Sequence, residues 1–475
     1  MGILPRGNGA VVTGQSTVRR ATIFAYVQQV AALGALFVFN VVVPRVVGLP
    51  AFGEFAALQG LIFTVFAVLG GGFDLLVLRT AGALPGSIDH SSLRRLLACR
   101  VATVAVGAAL VLVFPGPLLR GVGDPEAMAP TVALLLATSA LSGFLISALA
   151  AARLGMTTSV LMILHGAAYV GVPVAWSLAR GATAATLVQG CIVVYVVTIM
   201  AELYLLRRVP GAPGTAIPHG TALWRDAIAA SGATLFDTAR TALPFWLAAS
   251  LVAPKGLALV RISLSIAGAA VALLPLQPQL LVPLGGLSAD RERHLVQVTR
   301  TLATGAGIAT VGGCAGLAAL VYRAEAPALL SVAALAGWCA WAMVWARLAS
   351  SLAFARLGAA ALGRRTLIAA ALIALLSLLI AHIDNVGTWL PLAPTVGAWV
   401  AARLLATPAI RAGLAAWSDF VWLALATLAG FWGARVDAPW LALAATALIG
   451  AGYLAWSRAG WMPVVRETLA RRVSP

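Results

Sequence analysis

The stretch FAALQGLIFTVFAVLGGGFDLLVLR, residues 55–79, decides the fold of this chain. Asp74 is the only charged residue in it before Arg79 closes the run. About 20 mostly apolar residues in a helix cross a hydrocarbon core of roughly 30 Å. Since 61% of the 475 residues are hydrophobic and only 10% are charged, at a mean hydropathy of +0.98, the bilayer is predicted to be the solvent of the whole chain.

Similar apolar runs recur on both sides of this stretch, and each is long enough to span a bilayer as a helix. They lie near residues 22–43, 53–78, 97–118, 129–151, 157–178, 184–206, 228–251, 257–284, 298–321, 328–352, 366–382, 389–407, 416–434 and 439–457. The predicted fold class is therefore an all-α polytopic membrane protein with about 14 transmembrane helices.

The basic residues test this count, because Arg and Lys collect in the cytoplasmic connections of membrane proteins. Most of the 32 Lys and Arg residues fall in every second connection, which predicts that both termini are cytoplasmic. The exceptions on the other side are Arg45, Arg120, Arg180, Lys255, Arg323 and Arg435, and two more, Arg240 and Arg261, lie within spans. The net charge of +17 is then a matter of topology and contact with anionic membrane lipids, and no nucleic-acid partner is expected.

The connections between the spans are short, and the longest inner one is rich in Pro and Gly. This segment, residues 207–227, predicts a cytoplasmic linker between an N-terminal six-helix lobe (1–206) and a C-terminal six-helix lobe (228–407). Residues 408–475 are predicted to form two additional transmembrane helices and a cytoplasmic tail.

Two patches resemble the bacterial polysaccharide flippases of the multidrug/oligosaccharidyl-lipid/polysaccharide exporter superfamily. The first is VVVPRVVGLPAFGEFAALQGLIFTVFAVLGGGFDLLVLRTAG, residues 41–82, which has a basic outer turn, a Phe-Gly pair and a Gly-rich end to the second span. The second, residues 235–294, corresponds to the seventh and eighth spans of those flippases and a Pro-punctuated end. Members commonly have twelve spans, whereas the lipid II flippases have fourteen.

The resemblance implies two six-helix lobes around a central cavity that opens alternately to the two sides of a bacterial inner membrane. Its implied substrate is a polyprenyl-diphosphate-linked oligosaccharide destined for surface polysaccharide. It also implies a transporter without cofactors, with membrane lipids and glycan-assembly proteins as partners.

Arg240 is the strongest candidate for contact with such a substrate. It lies about halfway along the seventh predicted span, too deep to reach either surface comfortably. Pro244, four residues later, has no N–H for the carbonyl of residue 240 and predicts a hinge. A guanidinium suits bidentate contact with a diphosphate, but Asp237, three residues earlier on the same helix face, is an alternative partner.

Further charged residues are candidates with an equally plain alternative. Arg261 and Arg45 are predicted near the outer ends of their spans, where each could bind substrate or simply anchor at the membrane surface. Asp74, which comes shortly after three glycines, could carry a coupling ion or could pair with Arg79. Asp237 is a second candidate for carrying a coupling ion. Glu202, inside the sixth span, is expected to pair with the arginines that follow it at positions 207 and 208.

Polar residues on two other spans predict a cavity lining or a gating helix. His165 and Tyr169 share one face of the fifth span, with packing in the core as the alternative. Gln277 lies in a segment broken by Pro275, Pro278 and Pro283, as gating helices often are.

Two other functions compete with flipping. A drug/cation antiporter of the same superfamily would need embedded acids to exchange for the cation, and the only deep acid here adjoins Arg240. A membrane-embedded glycan polymerase or glycosyltransferase would need catalytic carboxylates converging at one face. The outer acids are instead scattered singly over short loops, so the sequence favours a non-enzyme.

Overall fold

A computed structural model describes residues 34–35, 37–80, 87–152, 155–213, 217, 220–274, 289–383 and 386–473. Nearly all of them are helical, and the chain order is as follows. The helices are α1 (Phe37–Val47), α2 (Leu49–Leu76), α3 (His90–Val113), α4 (Pro115–Leu118), α5 (Pro125–Ala151), α6 (Gly155–Arg180), α7 (Ala184–Arg207), α8 (Thr221–Thr241), α9 (Leu243–Ala248), α10 (Pro254–Ala272), α11 (Ala289–Leu320), α12 (Ala326–Ile380), α13 (Val386–Trp389), α14 (Leu392–Leu405), α15 (Pro408–Leu414), α16 (Trp417–Arg435) and α17 (Pro439–Val473).

The predicted all-α membrane fold is confirmed. Within the described residues, ten helical segments are long and apolar enough to cross a bilayer, or eleven if α15 and α16, which meet at 41°, form one span. Large apolar side chains such as Leu164, Met200 and Leu448 project from the bundle, as expected where the surroundings are lipid. The predicted first span lies mostly outside the described residues, which include only its end in α1.

The spans predicted at 328–352 and 366–382 belong to one continuous helical run, α12. The connection between them was predicted to be an inner loop. It is helical instead, because its sequence, FARLGAAALGRR, contains no Pro and is rich in Ala, Leu and Arg, which favour the helix. A cluster of positive charge therefore does not mark a break in the helix here.

The seventh predicted span, residues 228–251, is divided between two helices. α8 begins at Thr221, inside the predicted linker, and ends at Thr241, while α9 starts at Leu243. Pro244 stands in the first turn of α9, where its missing N–H costs nothing. The helical axis is therefore interrupted beside Arg240, as the proline predicts.

Glycines of α2 allow the helices before and after the linker to pack closely. A Cβ atom on Gly72 would lie 1.8 Å from the carbonyl oxygen of Ala227 in α8. One on Gly53 would lie 1.8 Å from the carbonyl oxygen of Pro254 in α10. α2 thus contacts C-terminal helices near both of its ends, as small residues permit in membrane helix pairs.

The C-terminal helices α16 and α17 are attached to α11 by polar contacts. Arg300 Nε donates to Asp419 Oδ2 at 2.8 Å, and Tyr453 packs against Trp422 with ring centroids 5.8 Å apart. These contacts anchor the last two helices to the side of the bundle.

Candidate substrate cavity

A cavity of about 350 Å³ lies between N-terminal helices and C-terminal helices. α1, α2, α6 and α7 line one side, and α8, α10 and α12 line the other. Its polar and ionisable lining residues are Gln59, His165, Tyr169, Tyr195, Arg240, Thr241, Arg261 and Ser265. Four residues singled out in the sequence, from three separate helices, therefore meet here: Arg240, Arg261, His165 and Tyr169.

Arg261 is buried in the helix bundle and does not anchor at the membrane surface, which was one of its two predicted roles. The residue is 7% exposed. Its Nη2 donates to Gln59 Oε1 at 2.5 Å and its Nη1 to the Thr241 carbonyl at 2.9 Å, with a longer contact of 3.4 Å from Nε to Asn40 Oδ1. Helix α10 begins at Pro254, which places Arg261 about 10 Å inside it, deeper than the apolar run suggested.

The partners of Arg261 are all neutral. Its hydrogen bonds go to two amide side chains and one backbone carbonyl, and its guanidinium lies 5.2 Å from the ring centroid of Phe245. In the described part of the chain no carboxylate lies within ion-pair distance of it. A buried cation without a counter-ion attracts an anion into the space beside it.

Arg240 lines the cavity and also forms the ion pair with Asp237 that the sequence analysis gave as the alternative to substrate contact. Its Nε and Nη2 lie 2.9 and 2.5 Å from Asp237 Oδ1. The Asp237 side chain is 67% exposed, so the ion pair is open on the carboxylate side. Nη1 of Arg240 takes no part in this pair.

A third arginine, which the sequence analysis assigned to an inner connection, adds to this charge. Arg347 is half-buried in α12 and interacts electrostatically with both Arg240 and Asp237. It stands one helical turn after Met343, which lines the cavity. Its position inside the tenth predicted span, residues 328–352, was the signal in the sequence that could have identified it as a buried arginine. Arg240 and Arg347 thus share one carboxylate, that of Asp237.

The N-terminal wall of the cavity is polar and aromatic. Gln59, which the sequence analysis did not single out, donates through Nε2 to the Tyr169 hydroxyl at 2.9 Å while its Oε1 accepts from Arg261. His165 lies 5.8 Å from the Tyr169 ring and 5.4 Å from the Tyr195 ring, centroid to centroid. Gln59 could have been found from the sequence, because its amide stands in an otherwise apolar stretch of α2.

The other candidate residues lie elsewhere. Asp74 pairs with Arg100 through Oδ2 and Nη2 at 3.3 Å and is not among the described residues that line the cavity. The side chain of Arg79, its alternative partner in the sequence analysis, lies outside the described part of the structure. Arg45 is exposed near the C-terminal end of α1, and its guanidinium lies 5.3 Å from the ring centroid of Tyr322. Gln277 and the prolines around it lie outside the described residues.

Comparison with known proteins shows which solved structures share the fold of this chain. No family model and no curated protein matches the sequence. Among solved structures, the lipid II flippase MurJ in an inward closed conformation matches with a TM-score of 0.60 at 13% identity, over 94% of this chain and 99% of that one. The chain has the fold of a lipid II flippase.

Two multidrug transporters match the chain less well. A point mutant of the Vibrio cholerae MATE transporter VcmN has a TM-score of 0.51 at 15% identity, over 88% of this chain and 98% of that one. The MATE transporter DinF-BH in complex with R6G has a TM-score of 0.50 at 16% identity, over 82% and 94%. The three solved proteins are a flippase and two transporters, and this chain shares their fold.

Proposed function

We propose that this protein flips a polyprenyl-diphosphate-linked oligosaccharide across a bacterial inner membrane by alternating access. The observation that carries the proposal is Arg261, a buried guanidinium with only neutral partners, on the wall of a cavity between the N-terminal and C-terminal helices. A diphosphate supplies the missing negative charge, and its oxygens match the planar fork of an arginine.

The rest of the cavity suits the same headgroup. Arg240 and Arg347 offset further phosphate charge, because Asp237 neutralises only one of them. Tyr169, Tyr195 and His165 offer hydroxyl and imidazole groups together with ring faces, which is the combination that binds sugar hydroxyls and sugar rings. A cavity of about 350 Å³ holds the charged part of the headgroup, while the polyprenyl chain remains in lipid.

The competing functions fit this cavity less well. A cationic drug would meet two lining arginines, and Asp237, the acid nearest to them, is already paired with Arg240. A polymerase or glycosyltransferase needs carboxylates as general acid and base, and none is among the residues that line the cavity. The proposed orientation, with both termini cytoplasmic, rests on the arginine distribution.

The function is tested with purified protein in liposomes containing a fluorescent polyprenyl-diphosphate-linked oligosaccharide. Translocation without lengthening of the glycan is expected, and Arg261→Gln should abolish it. Arg45→Gln is the matched control, because Arg45 is an exposed arginine away from the cavity, and it should leave translocation within about twofold of wild type. Lengthening of the glycan would identify an enzyme, and export of a cationic dye without lipid translocation would identify an antiporter.

A further inference from the structure

Glu202 in α7 is a fully buried carboxyl group that the proposed transport mechanism has not used. It is 0% exposed. Its Oε1 accepts from the Ser142 hydroxyl at 3.0 Å, and its Oε2 has no hydrogen-bond partner. The expected pairing with Arg207 or Arg208 is not formed: of the residues with described side chains, no Arg or Lys lies within ion-pair distance of it.

The elements around Glu202 present few ionisable groups. α5 contributes Ser142, and α6 contributes His165, which reaches Thr198 one turn before Glu202 on α7. Tyr195 of α7 interacts electrostatically with Glu202. α2, which also packs on α7, has its inner acid, Asp74, paired with Arg100 of α3. An uncompensated carboxylate in such surroundings favours the bound proton.

A polar path leads from this carboxyl group to the cavity. Thr198 Oγ1 donates to the Val194 carbonyl at 2.9 Å, so in its 2.8 Å contact with His165 the imidazole Nδ1 is the donor. Nε2 of His165, which lines the cavity, is then the atom that accepts a proton. Thr198 and Glu202 are one helical turn apart, about 6 Å along the helix.

We propose that Glu202 is a proton-binding site of this transporter and exchanges its proton with the cavity through His165. A proton that Nε2 accepts from cavity water is matched by loss of the Nδ1 proton to Thr198 Oγ1, which leaves the imidazole neutral. The Thr198 hydroxyl turns from the Val194 carbonyl and passes its own proton on to Oε2 of Glu202. The ligand is a proton and not a metal ion, because among the described residues only Ser142 presents an oxygen within hydrogen-bond distance of the carboxyl group. The described residues also contain no group of three His, Cys, Asp or Glu residues that could hold a metal.

The site is linked to transport by charge, and this part of the proposal rests on the proposed function. A proton on Glu202 removes a negative charge from behind the cavity wall, so the anionic headgroup should bind more tightly when the site is occupied. By thermodynamic linkage, headgroup binding should then be accompanied by proton uptake.

Two measurements test the site. The first, which needs no substrate, compares infrared spectra of wild type, Glu202→Gln and Glu126→Gln in lipid at neutral pH. Wild type and Glu126→Gln should show a protonated-carboxyl carbonyl band that Glu202→Gln lacks. The Gln variant has the same shape and can still accept from Ser142, so it should fold. An unchanged band in Glu202→Gln would overturn the proposal.

The second measurement is the affinity for the polyprenyl-diphosphate-linked oligosaccharide as a function of pH. Over the range in which Glu202 titrates, wild type and Glu126→Gln should gain about tenfold more affinity towards acid pH than Glu202→Gln does. His165→Phe should slow proton uptake by Glu202. Equal pH dependence in all variants would contradict the link to transport. If no variant binds the lipid, the proposed function fails, while the infrared comparison still decides on the proton site.

Discussion

The Arg261 guanidinium and the Gln59 amide form a 2.5 Å hydrogen bond that joins a C-terminal helix to an N-terminal helix across the cavity. Gln59 holds Arg261 with its oxygen and Tyr169 with its nitrogen, so a single neutral residue orients both groups. Because the partner is an amide and not a carboxylate, the arginine keeps its net charge for a ligand.

Gln59→Glu should therefore remove anion binding while preserving the fold. The new carboxylate would pair with Arg261 and cancel its charge, at nearly unchanged side-chain volume. We expect affinity for the lipid-linked diphosphate to fall by more than about tenfold, while the thermal midpoint is retained or raised. Isothermal titration and thermal unfolding in detergent measure the two quantities.

Gln189→Glu is the matched control for this substitution, since Gln189 accepts from Trp176 Nε1 at 3.2 Å and does not line the cavity. Affinity there should stay close to wild type. Retained affinity in Gln59→Glu would show that Arg261 does not bind the diphosphate.

Asp237→Asn should strengthen headgroup binding. The exposed carboxylate offsets part of the charge on Arg240, and such open ion pairs are worth about 0.2–1 kcal/mol, which corresponds to a gain in affinity of up to about fivefold. Direct binding measurements at low and high salt provide the test. If flipping is lost although binding improves, Asp237 also takes part in coupling; if binding weakens, the carboxylate supports the site instead of opposing it.

Gly72→Ala should prevent the close approach of α2 and α8 seen in this structure. The added Cβ would meet the backbone carbonyl of Ala227, which cannot yield without moving a helix. We expect thiol labelling of a cysteine introduced on the inner part of α8 to increase, because the two helices separate there. Gly171→Ala is the control, since nothing lies within 4 Å of its Cβ position, and it should label as wild type does.

Asp74→Asn should destabilise the protein and leave the cavity intact. Arg100 is 1% exposed, stacks on the Phe66 ring at 4.1 Å and fills the space beside Gly70. Without its carboxylate partner it is a buried unpaired cation, at a cost of about 3–5 kcal/mol in unfolding free energy. The thermal midpoint should fall, and Asp74→Asn with Arg100→Met should recover part of the loss. Loss of flipping at an unchanged midpoint would instead identify Asp74 as a coupling residue.

The fold class could be predicted from composition, because the insertion of a segment into a membrane depends on the hydrophobicity of that segment and not on its tertiary contacts. The interruption beside Pro244 was equally local, since a missing N–H acts within one helical turn. The site was only partly predictable. Arg240, Arg261, His165 and Tyr169 were singled out because polar residues are costly in lipid, but their meeting at one cavity depends on helix packing.

The local sequence pattern thus determined the helices and identified the polar residues whose burial in a membrane is costly. The tertiary structure alone decided their partners: Gln59 for Arg261, which is 202 positions away, Ser142 for Glu202, and Arg100 for Asp74. A buried charge takes whichever polar group the neighbouring helix presents, and close helix packing sets that choice. The tertiary structure also turned Arg261 from a candidate surface anchor into an unpaired cation within the bundle.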